Sequence, residues 1–145
     1  MDKHSYNISL KWNEGRKGII DSPELPTKIE VATPPEFDKG VPGIWSPEHL
    51  YTASVLSCFM TTFLAIADYS KLEFKDFDCD AEGILDNAEG KFLMTDVYLK
   101  ARLILDDDSK KERAERVLKK SEAACLITNS IKTKVHLNSE ILIKT

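Results

Sequence analysis

The stretch SPEHLYTASVLSCFMTTFLAIADY, Ser46 to Tyr69, decides how this chain folds. Ser46 suits a helix N-cap, Pro47 fits the first helical position, and Glu48 complements the positive end of the helix dipole. Beyond them Leu50, Ala53, Val55, Leu56, Cys58, Phe59, Phe63, Leu64, Ile66 and Ala67 cover most of the circumference. A helix apolar nearly all round is a buried central one, with other layers packed on more than one side. Its most apolar part, Ala53 to Ala67, is interrupted by Ser54, Ser57, Thr61 and Thr62. It is too short and too polar for a bilayer span and suits a core helix.

On the N-terminal side, Pro34, Pro35, Pro42 and Pro47 with Gly40 and Gly43 make Thr33 to Pro47 a long ordered loop. Phe37, Val41, Ile44 and Trp45 within it need somewhere to bury, and long loops in compact domains often carry function. Earlier still, Tyr6, Ile8, Leu10 and Trp12 alternate with Ser5, Asn7, Ser9 and Lys11, the pattern of a half-buried strand. Asn13-Glu14-Gly15 turns it into a shorter strand, Arg16 to Asp21, and a third is expected over Lys28 to Ala32 after Pro23 and Pro26.

On the C-terminal side, Phe77, Cys79, Ala81 and Leu85 alternate with Asp76, Asp78, Asp80 and Glu82. Past the connection Asn87-Ala88-Glu89-Gly90, Val97, Leu99, Ala101, Leu103 and Leu105 alternate with Asp96, Tyr98, Lys100 and Arg102. One apolar face and one charged face predict an antiparallel sheet solvated on one side. Ser109 with Glu112 has the form of a capping box for a second helix, with the stripe Ala114, Val117, Leu118, Ser121, Ala124 and Cys125. Thr128 to Ser130 breaks that pattern, and Ile131, Thr133, Val135 and Leu137 alternate as a last strand. The predicted order is βββ-α-ββ-α-β, an α+β fold in one domain over residues 1–145.

The 145 residues are 42% hydrophobic and 30% charged, enough for a real core and unlike a disordered chain. A formal net charge of −4 argues against a general binder of nucleic acid or anionic membrane. The opening MDKHSYNISL lacks a long apolar run, so a soluble cytoplasmic protein is expected. His4, His49 and His136 are too dispersed to outline a metal site.

Three cysteines, Cys58, Cys79 and Cys125, form no disulfide framework and no zinc-type spacing. Each is a small core residue or a reactive thiol. Cys79 falls on the inward face of a strand and is expected to be packing. Cys58 and Cys125 both point toward the core, so contact between them is permitted but not required.

The segment Ser46-Pro47-Glu48-His49-Leu50-Tyr51-Thr52-Ala53-Ser54-Val55-Leu56-Ser57-Cys58-Phe59 resembles the "NPEEL…AA…ACF" helix of the OsmC/organic hydroperoxide resistance family. Ala123-Ala124-Cys125-Leu126-Ile127-Thr128-Asn129-Ser130-Ile131 is similar to its "CPxSnal" segment. The element order and the spacing of the two cysteines fit as well. Leu126 stands for the family proline, Thr128 for its serine and Ser46 for its asparagine, which marks a divergent branch. The resemblance implies an intertwined homodimer with two sites at the subunit interface. It implies a thiol peroxidase acting on organic hydroperoxides and restored by a lipoyl-type dithiol. Cys58 would be the peroxidatic cysteine and Cys125 the resolving one, and no metal or bound organic cofactor is implied. Glu48 matches the family glutamate, and Arg16 in Glu14-Gly15-Arg16-Lys17-Gly18 resembles the arginine of "GGRdG".

Physical chemistry constrains that assignment. A thiol reacts as thiolate, and burial opposes ionisation. Cys58 lies beyond the first turn where the helix dipole helps, so a cation is expected to hold it ionised, with Arg16 the candidate and Glu48 its orienting partner. On a regular helix Glu48 and Cys58 stand roughly 15 Å apart at 1.5 Å per residue. Glu48 is therefore expected to serve the partner subunit. Phe59, Met60 and Trp45 are either apolar lining that favours an organic peroxide or plain core. Two other readings of the same residues are a non-catalytic dimer binding an apolar small molecule and a redox sensor without turnover.

Overall fold

In the computed structural model, which describes residues 2–145, the chain divides into two compact units, one running to Leu50 and the other spanning Tyr51–Thr145. The first holds an antiparallel sheet of β1 (Ser9–Glu14), β2 (Lys17–Ser22) and β3 (Leu25–Ala32), in that spatial order. Gly15 and Arg16 form the two-residue turn of the first hairpin, with Gly15 at φ +52° supplying the left-handed residue. The turn thus falls later than Asn13-Glu14-Gly15. Every residue of β1 is exposed, so Leu10 and Trp12 gain no cover from this chain where the alternation predicted a half-buried strand. Pro26 sits near the start of edge strand β3, where its missing N–H is harmless.

The loop from Thr33 to Ser46 folds back on that edge. Ala32 N–H donates to the Trp45 carbonyl at 2.9 Å and Val41 N–H to that of Thr33 at 2.9 Å. Gly40 is required there, because a Cβ would collide with the Pro34 carbonyl. Ser46 then caps helix α1 (Pro47–Tyr69): the His49 N–H donates to Ser46 Oγ at 3.1 Å.

In the second unit α1 is followed by β4 (Asp76–Ala88), β5 (Lys91–Leu105), α2 (Lys111–Ala124), the short α3 (Leu126–Ser130) and β6 (Lys134–Ile143). The spatial order is β4-β5-β6. Glu89 and Gly90, both at positive φ, close the β4–β5 hairpin as a type I′ pair, so the strands run further than the alternation alone implied. β6 pairs with β5 in parallel. The last strand is therefore not antiparallel: α2 and α3 form the crossover that a parallel connection requires.

The core lies on one face of this sheet. Val97, Leu99, Ala101, Leu103 and Leu105 of β5 are all buried, with Val55, Phe59, Phe63 and Ala67 of α1 and Ala114, Val117 and Leu118 of α2. Phe63 stacks on Phe77 at 4.3 Å between centroids. Each such side chain contributes about 1.5–3 kcal/mol by burial. On the opposite face Arg102 pairs with Asp78 and Asp80. By length and apolar composition α1 could cross a membrane, but its buried stripe belongs to this core. The other side of α1 stays uncovered within one chain, with Met60 41% and Leu64 42% exposed, so the helix predicted to be buried all round is covered on one side.

The predicted capping box does not form. Asp107 is the cap instead, accepting from the Ser109 N–H at 2.9 Å and opening a single 3₁₀ turn that leads into α2. An ionised carboxylate ahead of the first turn is a better acceptor than a serine hydroxyl.

Candidate functional site

The break between α2 and α3 builds the site. Cys125 adopts φ −64°, ψ 112°, which stops α2, and the helix restarts at Leu126 with the Asn129 N–H bonding back to the Cys125 carbonyl at 3.0 Å. The predicted stripe therefore ends one residue early, with Cys125 in the junction rather than on α2. The first N–H groups of a restarted helix have no partner within it. Those of Leu126 and Ile127 act on the sulfur of Cys58, which α1 presents half-buried, and pull its thiol down.

Cys125 is buried beside Cys58, within hydrogen-bonding distance. The two thiols are polarised in opposite directions. Burial pushes the Cys58 thiol up, but the Ile127 N–H, the Cys125 thiol, the Thr62 hydroxyl and the Leu126 N–H outweigh it and hold it below the ordinary thiol value. Burial raises the Cys125 thiol; Thr128 lowers it through hydroxyl and N–H, and neighbouring Cys58 raises it again, for a net upward shift. Of the two, Cys58 is therefore the thiol that gives up its proton more readily. The donors on Cys58 are neutral, mostly backbone.

Arg16 and Glu48 come together elsewhere, around a cavity of about 370 Å³ in the first unit lined also by Trp12, Val31, Pro34 and Phe37. Arg16 is exposed at the hairpin turn and Glu48 half-buried in the first turn of α1. Next to them Ser46 Oγ lies 2.7 Å from His49 Nδ1, while the Ser46 N–H points at the same nitrogen at 3.4 Å. Nδ1 facing two donors makes it the acceptor, with the ring proton on Nε2. This reciprocal cap, histidine in place of the usual glutamate, had a sequence signal in Ser46 and His49 three residues apart.

Of the apolar candidates, Phe59 is core, packed near Phe77, while Met60 is exposed and Trp45 lies edge-on to His49. Cys79 packs against the core, and burial with Asp80 pushes its thiol up to about 11. Among the described residues no group of three His, Cys, Asp or Glu side chains is placed to hold a metal ion. Thr62 and Thr128 escaped the sequence reading, although each follows a cysteine at a helical neighbour spacing.

An α+β chain with a polarised thiol pair at a helix junction defines a class, and comparison with known proteins gives it a name. The family model described as OsmC-like protein matches residues 40–140, and the chain belongs to that family. The uncharacterized protein YmaD of Bacillus subtilis (strain 168) is 27% identical over 149 aligned residues, spanning 99% of this chain and 97% of that protein. An OsmC-like protein of unknown function from Vibrio cholerae superimposes with a TM-score of 0.84 at 22% identity, over 95% of this chain and 100% of the other. An organic hydroperoxide resistance protein OsmC from Legionella pneumophila does so at 0.75 and 25% identity, over 97% and 100%. The organic hydroperoxide resistance protein OhrB of Bacillus subtilis gives 0.70 at 19% identity, over 95% and 98%.

Proposed function

We propose that this protein is a thiol-dependent reductase of organic hydroperoxides. The observation that carries the reading is the thiol pair, with Cys58 held below the ordinary thiol value beside a Cys125 held above it. The relatives named for organic hydroperoxide resistance support the same chemistry. The Cys58 thiolate attacks one peroxide oxygen; the O–O bond breaks, the alcohol leaves with a proton, and Cys58 becomes a sulfenic acid. Cys125 displaces the hydroxyl, water leaves, and a Cys58–Cys125 disulfide forms. An external dithiol, of the lipoyl type by family resemblance, returns both to thiols and is itself oxidised to a disulfide.

The working form is a homodimer in the cytoplasm. Its support is the apolar surface one chain leaves open: Leu10 and Trp12 on β1, Met60 and Leu64 on α1. Arg16 and Glu48 are assigned to orienting the peroxide at the partner subunit's Cys58, since helix rise separates Glu48 from Cys58 along α1. The apolar lining of their cavity favours an organic peroxide over hydrogen peroxide.

Steady-state consumption of cumene hydroperoxide with dihydrolipoamide tests the reading. Turnover that exceeds turnover of hydrogen peroxide and vanishes in Cys58→Ser is expected. A wild-type protein that is oxidised once and then stops would make it a sensor, and one never oxidised a binding protein.

A further inference from the structure

Three of the Ser and Thr hydroxyls of α1 bond to their own helix. Ser54 Oγ donates to the Tyr51 carbonyl at 2.6 Å, Ser57 Oγ to that of Ala53 at 2.8 Å, and Thr61 Oγ1 to that of Cys58 at 3.1 Å. All three fold back on their own helix, the usual fate of a helical Ser or Thr. Thr62 differs. It stands one turn beyond Cys58 on the same face, and its Oγ1 lies 3.9 Å from Cys58 Sγ. Either group can donate while Cys58 is a thiol; once the sulfur is ionised it can only accept, and the Thr62 hydroxyl becomes the donor.

We infer that Thr62 is a catalytic residue of this chain: its hydroxyl holds the Cys58 sulfur as a thiolate aimed away from the helix, ready for attack. The inference deepens the proposed peroxidase reading and rests on it for the reaction, though not for the ionisation. The backbone N–H groups of Leu126 and Ile127 approach the same sulfur from the α2–α3 junction. Thr62 supplies a donor from α1 itself. The sulfur is thereby addressed from two elements rather than one. Substitution of Thr62 by valine keeps the branched shape and removes only the donor. Serine keeps the donor and removes only the methyl.

The test is site-resolved alkylation of the fully reduced chain by iodoacetamide across pH, read at the Cys58 peptide by mass spectrometry. Thr62→Val and Thr62→Ala are expected to slow Cys58 alkylation at pH 7 by roughly two- to tenfold, as loss of one ordinary hydrogen bond implies. The limiting rate at high pH should stay as in wild type, and Thr62→Ser should follow wild type throughout. Profiles of Thr62→Val and Thr62→Ala that coincide with wild type overturn the inference. So does a Thr62→Ser profile that tracks valine, because packing of the methyl would then be the role. Thermal melting of the same variants separates a structural part, which would move the melt and leave the pH profile in place. Failure of the wild type to consume peroxide refutes the peroxidase reading and leaves the alkylation comparison intact.

Discussion

Leu126→Pro would separate backbone from side-chain stabilisation of the thiolate with little cost to the fold. Leu126 opens α3 at the first helical position, where proline's fixed φ is already suitable and its missing N–H breaks no helical bond. Cys125 before it, at φ −64° and ψ 112°, already has the extended backbone that a following proline demands. The Leu126 side chain is 67% exposed, so its loss removes little packing. What disappears is one N–H aimed at the Cys58 sulfur. A single hydrogen bond contributes about 1 kcal/mol net, so a loss of thiolate at neutral pH of roughly two- to tenfold is expected. Iodoacetamide labelling of the Cys58 peptide between pH 5 and 10 measures it, with circular dichroism as the check on folding. A folded variant whose labelling profile coincides with wild type would refute the claim that the junction N–H groups ionise Cys58.

Further expectations follow from other parts of the molecule. Arg16→Ala should slow peroxide consumption about tenfold or more and leave Cys58 labelling unchanged; labelling that falls in parallel would restore Arg16 as the source of ionisation. Phe63→Ala, which empties a fully buried site between Phe74 and Phe77, should cost about 3–5 kcal/mol in chemical denaturation, and a loss under about 1 kcal/mol would contradict the assigned core. Gly40→Ala should destabilise the loop through collision with the Pro34 carbonyl, by about 1–3 kcal/mol, seen as a lower melting temperature. The Cys79 thiol, raised from 9.0 to about 11 in the fold, stays protonated where the unfolded chain has lost that proton. The native state then binds more protons, so this group makes stability fall as pH rises through that interval. Cys79→Ala should flatten that fall in urea titrations, and an unchanged slope would dismiss the raised thiol.

Much of the fold was legible because local chemistry and tertiary packing agree. Ser46-Pro47-Glu48 marked the start of α1, and Val97, Leu99, Ala101, Leu103 and Leu105 of β5 fell on the buried face as their alternation required. The direction of β6 was not legible, since alternation is the same for parallel and antiparallel partners and only the crossover through α2 and α3 decides it. Ser109 and Glu112 satisfied the capping pattern, yet Asp107 offered the stronger acceptor two residues earlier. For the site, the family motif brought Cys58 and Cys125 into view, but the backbone contribution to lowering the Cys58 thiol had no signal in the sequence. Backbone N–H groups leave no trace in composition, and they become available only because Cys125 breaks the helix before Leu126. Apolarity all round α1 was read as packing on more than one side, but within this chain Met60 and Leu64 are exposed.

The central claim is that Cys58 and Cys125 form one redox couple, and the direct measurement is the mass of the reduced protein after one equivalent of cumene hydroperoxide, followed by peptide mapping. A loss of about 2 Da with a single Cys58–Cys125 cross-link and Cys79 free is the predicted result. An unchanged mass with all three thiols free would contradict it, as would a gain of oxygen on Cys58 with no cross-link to Cys125.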